Sequence, residues 1–355
     1  MTCATLLSGG VDSSVALARL VEQGVPVTAF YLKIWLEDEL SFLGTCPWEE
    51  DLFYARAVCQ KLGVDLEVVP MQRFYHERVV SYTVAEALKG RTPNPDILCN
   101  QQVKLGAFLD YIGDRFEKVA TGHYAVGREI NGRHRLFCSP DPVKDQTYFL
   151  AFLSQAQLGR ALFPIGHLTK SELRQEAERL DLPTKHRPDS QGICFLGKLK
   201  FPEFLRAHLG ERKGDLVEIE TGKKMGIHNG FWFYTVGQRQ GIGLSGGPWY
   251  VVKKDTDQNI VYISRQYFDE TKKRDECIIT DCNWIAGIIP LDREVEVKLR
   301  HGPVRHRAVL EEIDSLDGRF KVRLLGSRDQ GIALGQFVVV YDHDECLGGG
   351  VIDGV

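Results

Sequence analysis

Ser8-Gly9-Gly10-Val11-Asp12-Ser13-Ser14 is the stretch around which this 355-residue chain is organised. The run before it, Ala4-Thr5-Leu6-Leu7, is short and apolar and reads as a buried parallel strand. Residues 15–22 after it repeat their apolar positions at helical spacing. The stretch therefore joins a strand end to a helix start. Gly9 and Gly10 lack a Cβ, so the chain can turn sharply and an anion can approach the backbone. The first N–H groups of a helix have no internal partners and carry partial positive charge, which suits phosphate. Asp12, Ser13 and Ser14 add side chains that can cap the helix or hold a metal-bound phosphate. The bland reading of the same string is a Gly-Gly turn with an Asp/Ser cap. No Lys follows the glycines and the spacing is not Gly-x-Gly-x-x-Gly, so two familiar phosphate loops are excluded.

The bulk numbers narrow the class. A chain of 355 residues, 43% hydrophobic and 26% charged, points to a soluble globular protein of two or three domains. No long apolar run and no basic-then-apolar N-terminus is present, so neither a signal peptide nor a membrane span is expected. A net charge of −4 argues against wholesale coating of nucleic acid, while leaving room for a local basic face. The nine cysteines are odd in number and none are paired at Cys-x-x-Cys spacing. That pattern fits free thiols in a reducing cytosol better than a disulfide scaffold or a zinc ribbon.

Along the chain, strands at 27–32, 65–69 and 119–121 alternate with helical patterns at 49–62, 73–88 and 100–111. The expected architecture is α/β: an open parallel sheet with helices on both faces. Ligands of such sheets lie beyond the carboxyl ends of the strands, so the Gly-Gly loop, Leu32 and Gly122 should share one rim. Asn131-Gly132 marks a hairpin turn, and Thr169-Lys170-Ser171-Glu172 is a capping box opening a helix that runs to about Leu180. Residues 201–209 read as a last helix. Beyond Gly210, short alternating strands punctuated by glycine take over, predicting a small β-rich middle module and then a C-terminal β-barrel. The seam is placed near Lys272-Lys273-Arg274, dividing the chain into 1–200, 201–273 and 274–355.

Two cysteines keep unusual company. Cys99 follows Gly90-Arg91-Thr92-Pro93-Asn94-Pro95-Asp96-Ile97-Leu98 and is expected at the mouth of the next helix, where a thiol gains thiolate character. Cys194 lies in Asp189-Ser190-Gln191-Gly192-Ile193-Cys194-Phe195, a Gly-containing turn. Taken singly, each also reads as a structural cysteine. Cys46, in Leu43-Gly44-Thr45-Cys46-Pro47, is read as a plain loop cysteine. The spacing does not call for an iron–sulfur cluster, and no protein-held metal site is expected.

The opening string resembles the PP-loop of the ATP-pyrophosphatase superfamily, in which ATP is cleaved between the α and β phosphates. The Gly90–Asn100 string resembles the signature of the tRNA-specific 2-thiouridylases. So do Ala120-Thr121-Gly122-His123-Tyr124, Lys144-Asp145-Gln146, Gly192-Ile193-Cys194-Phe195, Gly237-Gln238-Arg239 and Cys346-Leu347-Gly348-Gly349-Gly350. The strings run from residue 8 to residue 350 in family order. The resemblance implies a PP-loop domain, a small central domain and a C-terminal barrel. It also implies ATP-dependent replacement of the 2-oxygen of the wobble uridine of tRNA by sulfur. Transfer of AMP turns that oxygen into a good leaving group. Cys194 is then the carrier of a persulfide from a donor protein, and Cys99 its partner thiolate, leaving a Cys99–Cys194 disulfide. Asp96 is assigned proton transfer at the base, although it also suits a turn.

ATP, with Mg2+, is assigned to Leu6, Leu7, Ser8, Gly9, Gly10, Val11, Asp12 and Ser13, with Leu32 towards the adenine and Gly122 beside the nucleotide. Asn94, Pro95 and Asp96 are assigned to the target base, and His123, Lys144, Asp145, Gln146, Arg300, His301 and Gln336 to tRNA. Arg300-His301 and Arg305-His306-Arg307 form the densest basic cluster of the barrel, which otherwise reads as a solvated strand face. The target base must leave its stack before its C2 can be reached. A cytoplasmic chain, monomeric when free, is expected. Two other readings stand beside this one. A PP-loop ligase using ammonia has no need of Cys99 or Cys194, and a non-catalytic nucleotide-binding module needs neither those cysteines nor a basic barrel.

Overall fold

The computed structural model describes residues 1–34, 47–189, 200–267, 274–314, 317–329 and 331–355. Cys46, Cys194 and the Lys272-Lys273 seam lie outside the described residues. The chain begins with β1 (Cys3–Leu6), α1 (Val11–Glu22), β2 (Val27–Lys33), α2 (Pro47–Leu62) and β3 (Leu66–Pro70). With β4 (Lys118–Ala120) and β7 (Ala161–Leu162) these strands form an all-parallel sheet in the order β3-β2-β1-β4-β7. Alternation along β2 decides which helix covers which face. Ala29 and Tyr31 pack with Leu17 of α1 and Val58 of α2, whereas Phe30 points the other way, onto Phe108 and Phe116. Helices therefore cover both faces, as the alternating pattern predicts. The order reverses at β1, between β2 and β4, and there the strand ends open a crevice.

Two helices differ from expectation in a way that matters. The one after β3 runs through residues 72–88 (α3) with a π segment at His76–Val80. The next (α4, residues 95–112) starts at Pro95, five residues before the expected Asn100. Asn94 is its N-cap, its side chain accepting the Ile97 N–H at 3.3 Å, and Pro95 sits at the first helical position, where its missing N–H costs nothing. Cys99 is thus in the second turn, not at the helix mouth where the sequence placed it.

The Asn131-Gly132 hairpin forms between β5 (Ala125–Ile130) and β6 (Arg133–Cys138), with Asn131 at φ 53° and Gly132 at φ 71°. Helices α5 (Gln155–Arg160) and α6 (Lys170–Arg179) follow, α6 opened by the expected Thr169/Glu172 capping box. After α7 (Phe201–Leu209), β8 (Gly214–Glu218), β9 (Lys224–His228), β10 (Tyr250–Asp255) and β11 (Ile260–Ser264) make a small sheet in the order β10-β11-β8-β9.

The C-terminal strands are β12 (Glu276–Trp284), β13 (Glu294–Lys298), β14 (His306–Asp314), β15 (Arg319–Leu324), β16 (Phe337–Asp342) and β17 (Glu345–Gly354). They run β12-β15-β14-β13-β16-β17, and β12–β17 pairing closes them into a six-stranded barrel. Inward-facing Ile279, Val297, Leu310, Val322 and Val340 fill it. The early hairpin joins this sheet, since β6 pairs with β17 at Leu136↔Cys346. The Arg91–Asp353 ion pair (2.7 Å) and the Thr92 N–H to Leu334 carbonyl bond (2.8 Å) fasten the barrel beside the start of α4. Among the described residues no helix is long and apolar enough to cross a membrane.

Candidate functional site

A cleft of about 360 Å³ lies where β1, β2 and β4 end. Of the residues expected to hold a nucleotide, Leu6, Leu7, Ser8, Asp12, Ser13, Leu32 and Gly122 line it. Gly9, Gly10 and Val11 are not part of this wall. Gly9 has φ +75°, and a Cβ there would lie 2.2 Å from the Asp51 carbonyl oxygen, so the glycine lets the loop pass over α2. Gly10 is the N-cap of α1, and Val11 is buried beside Val15 and Tyr124. A Cβ on Gly122 would lie 2.7 Å from the Ser13 nitrogen, so its missing side chain admits α1 itself, in addition to any ligand.

The expected capping by Asp12, Ser13 or Ser14 is not seen. Ser13 and Ser14 hydroxyls donate back to the Gly10 carbonyl at 3.1 and 2.8 Å, and no side chain caps α1. With no side-chain cap at Gly10, the first N–H groups of α1 are not taken up by a capping side chain, the condition under which a helix N-terminus can hold phosphate oxygens. Asp12 turns away to accept the Tyr124 hydroxyl at 2.8 Å and to pair with Lys170 at 2.6 Å.

Cys99 is buried and lines the same cleft as the loop. Asn94, Pro95 and Asp96 sit one turn earlier, outside the cleft wall and towards the barrel. Asp96 is close enough to His301 to favour its protonation, although burial and Lys298 together hold that imidazole below its ordinary pKa. The His301 ring packs on Phe149, with centroids 4.5 Å apart.

The Lys144-Asp145-Gln146 string splits. Lys144 and Gln146 line the cleft, and Gln146 accepts the Tyr124 N–H at 3.0 Å. Asp145 instead points under the barrel, where it meets Lys298 at 3.2 Å and the Thr147 hydroxyl at 2.9 Å. In this structure Asp145 is paired inward and does not share the cleft wall with Lys144 and Gln146. His123 lines the cleft but is buried. Burial, with Lys104 nearby, pushes its pKa down to about 3, and Thr121 Oγ1 lies 2.8 Å from its Nδ1. Arg300 and Gln336 line a separate hollow of about 650 Å³ with Gln238 and Arg328, and Arg300 pairs with Asp329 at 3.0 Å.

Several site residues carried no readable role in the sequence. Arg187 donates to the Gly9 carbonyl at 2.7 Å, pairs with Asp51 at 2.9 Å and lies over the Tyr54 ring at 4.3 Å, clamping the loop to α2. Asp189 meets Lys144, Lys170 and Arg174 at 2.6, 2.8 and 2.6 Å. Burial alone would raise its pKa, but Lys144 and Lys170 outweigh it and hold the carboxyl well below the usual range. Asp189 stood out in the sequence only as a neighbour of Cys194, and Lys170 only as part of a capping box. Among the described residues no group of three or more His, Cys, Asp or Glu could hold a metal.

Comparison with known proteins gives this geometry its context. Residues 1–198 match the family described as the tRNA methyl transferase HUP domain. Residues 202–265 match the tRNA methyl transferase PRC-barrel domain, and 274–352 the aminomethyltransferase beta-barrel domain. The tRNA-specific 2-thiouridylase MnmA of Parabacteroides distasonis is 45% identical, over 99% of both chains. Relatives of the same description from Bacteroides thetaiotaomicron and Porphyromonas gingivalis are each 46% identical, again over 99% of both chains. Among solved structures, an NMN synthetase from Francisella tularensis aligns at TM-score 0.34 and 17% identity, over 59% of this chain and 78% of that one, a likeness that carries no argument. By its match over more than half its length and by these end-to-end relatives, the chain belongs to the tRNA-specific 2-thiouridylase family.

Proposed function

We propose that the protein replaces the C2 oxygen of the wobble uridine in tRNA by sulfur, with ATP as the activating substrate. The observation that carries this reading is that Cys99 lines one cleft with Ser8, Asp12 and Ser13 of the Gly-Gly loop. The three parts work as residues 1–200 for activation and sulfur transfer, 201–273 as the central module and 274–355 as the RNA-facing barrel. The open N–H groups of α1 receive phosphate oxygens, and Leu32 and Phe30 offer an apolar wall to the adenine. Mg2+, brought by the nucleotide, would be held chiefly by phosphate oxygens, with Asp12 the carboxylate of the loop that could join it, and would neutralise phosphate charge.

The uridine O2 attacks the α-phosphorus, pyrophosphate leaves, and AMP is left on O2. The terminal sulfur of a Cys194 persulfide, supplied by a donor protein, attacks C2. The Cys99 thiolate then attacks the Cys194 sulfur, forming the Cys99–Cys194 disulfide and leaving the second sulfur on C2. AMP departs with the former O2, and a reductant reopens the disulfide for the next cycle. Asp96, on the first turn of α4, handles the proton of the base while Asn94 and Pro95 border it. His123, Gln146, Arg300, His301 and Gln336 contact tRNA, and Lys144, on the cleft wall, reaches both tRNA and the nucleotide's phosphates. The reading includes a cytoplasmic protein that is monomeric when free.

The test is pyrophosphate release together with mass analysis of wobble-uridine nucleosides, using ATP, a sulfide source and bulk tRNA. The expected result is release that needs tRNA, and 2-thiouridine that is lost in both Cys99→Ser and Cys194→Ser. Release driven by ammonia without RNA would make the chain an amide ligase, and no release at all a nucleotide-binding module; either result overturns the reading.

A further inference from the structure

The Gly-Gly loop has no basic residue of its own between Ser8 and Ser14. A triphosphate entering it needs cations from elsewhere. The structure gathers three beside it. Lys170 Nζ bridges Asp12 Oδ1 at 2.6 Å and Asp189 Oδ1 at 2.8 Å. Lys144 Nζ lies 2.6 Å from Asp189 Oδ2, and Arg174 Nη2 lies 2.6 Å from Asp189 Oδ1. A single carboxylate thus collects three cations, one of which, Lys170, it shares with Asp12. Asp141, the third carboxylate here, is occupied by backbone N–H groups of Val143, Lys144 and Lys170. Asp12, Lys144 and Asp189 all line the cleft, and Lys170 and Arg174 are fixed on α6.

We infer that Lys144, Lys170 and Arg174 form the seat of the β- and γ-phosphates, and of pyrophosphate after cleavage, and that Asp189 is a resident anion which those phosphates displace. The inference rests on the ATP-dependent reading above. It is favoured by chemistry: pyrophosphate carries several charges and more acceptor oxygens than a carboxylate, so it satisfies the same cations better. Lys170 also ties the seat to the loop through Asp12, so the phosphates meet the helix N–H groups and the cations together.

The experiment measures binding of inorganic pyrophosphate and, separately, of AMP to the full chain by titration calorimetry. Lys170→Gln should weaken pyrophosphate at least tenfold and leave AMP within about twofold. Asp189→Asn should do the opposite and tighten pyrophosphate several-fold, because the cations lose their internal competitor. The opposite signs keep the test decisive if Lys170→Gln fails to fold. Pyrophosphate affinity unchanged in these variants, a parallel loss of AMP affinity in Lys170→Gln, or weaker pyrophosphate binding in Asp189→Asn would overturn the seat. Failure of the underlying reading looks different: the wild-type chain would thiolate tRNA without ATP, whatever its affinity for pyrophosphate.

Discussion

Lys144 and Asp145 are neighbours in sequence and end in opposite kinds of ion pair. Lys144 joins Asp189 at the cleft rim, where the two side chains are 34% and 22% exposed and two further cations share the carboxylate. Asp145 joins Lys298 under the barrel, where exposure falls to 2% and 4%. The rim cluster has three cations converging on one carboxylate and access to water, so it can trade that internal anion for a ligand. The buried pair cannot be parted without leaving a charge in a dry interior. One peptide bond thus separates a residue that serves the cleft from one that fixes the barrel. Lys298 is two residues before Arg300, and His301 packs on Phe149, so the same buried pair sets the barrel's basic residues against the start of α4.

Mutation separates the buried pair from the rim cluster. Lys298→Met should strand the Asp145 carboxylate and cost about 3–5 kcal/mol in urea unfolding, with most of it recovered when Asp145→Leu is added. A single-mutant cost below about 1 kcal/mol would show that the pair does not hold the barrel. Gly9→Ala, forcing a Cβ onto the Asp51 carbonyl at φ +75°, should cost about 1–3 kcal/mol and weaken ATP binding. Gly10→Ala, at φ −83° with only Ser8 Oγ near, should be mild by comparison; equal effects would refute the steric account.

His123 supplies a third case, a cleft-wall group buried without charge. Its folded pKa of about 3 lies below the ordinary 6.5, so the unfolded chain binds more protons between these values. Stability should therefore fall as pH drops from 6.5 towards 3, by at most about 1.4 kcal/mol per pH unit from this group, and His123→Asn should flatten that slope. The smallest effect belongs to the rim: Lys144→Gln should change stability by no more than about 1 kcal/mol, since the pair is solvent-open and its carboxylate keeps two other cations.

What was legible in the sequence was local. The strand–loop–helix at the start, the Asn131-Gly132 turn and the Thr169 capping box each follow from residues within a few positions of one another. The start of α4 was also written locally, as Asn94 before Pro95, yet the unusual Cys99 drew attention past it. The rest depended on distance along the chain. Lys170 meets Asp12 across 158 residues and Lys298 meets Asp145 across 153, and no periodicity announces either pairing. Nor does periodicity announce β7, whose two residues are too few to show a pattern. The hairpin's second allegiance, to the barrel through β17, was hidden for the same reason: a sheet edge finds its partner only after folding. Family strings marked Lys144, Asp145 and Gln146 as a unit, but the turn closed by the Lys144 and Asp145 N–H groups on the Asp141 carbonyl sends the middle side chain the other way.

The account stands most directly on the sulfur relay at Cys99. The chain, loaded with persulfide by polysulfide treatment and freed of excess, is given ATP and tRNA for a single turnover, quenched by acid and digested without reductant. The prediction is a peptide pair joined through Cys99 and Cys194 that accumulates in step with 2-thiouridine and needs both ATP and tRNA. Thiolated tRNA forming at the wild-type rate with no such linked pair, or in Cys99→Ser, would contradict it.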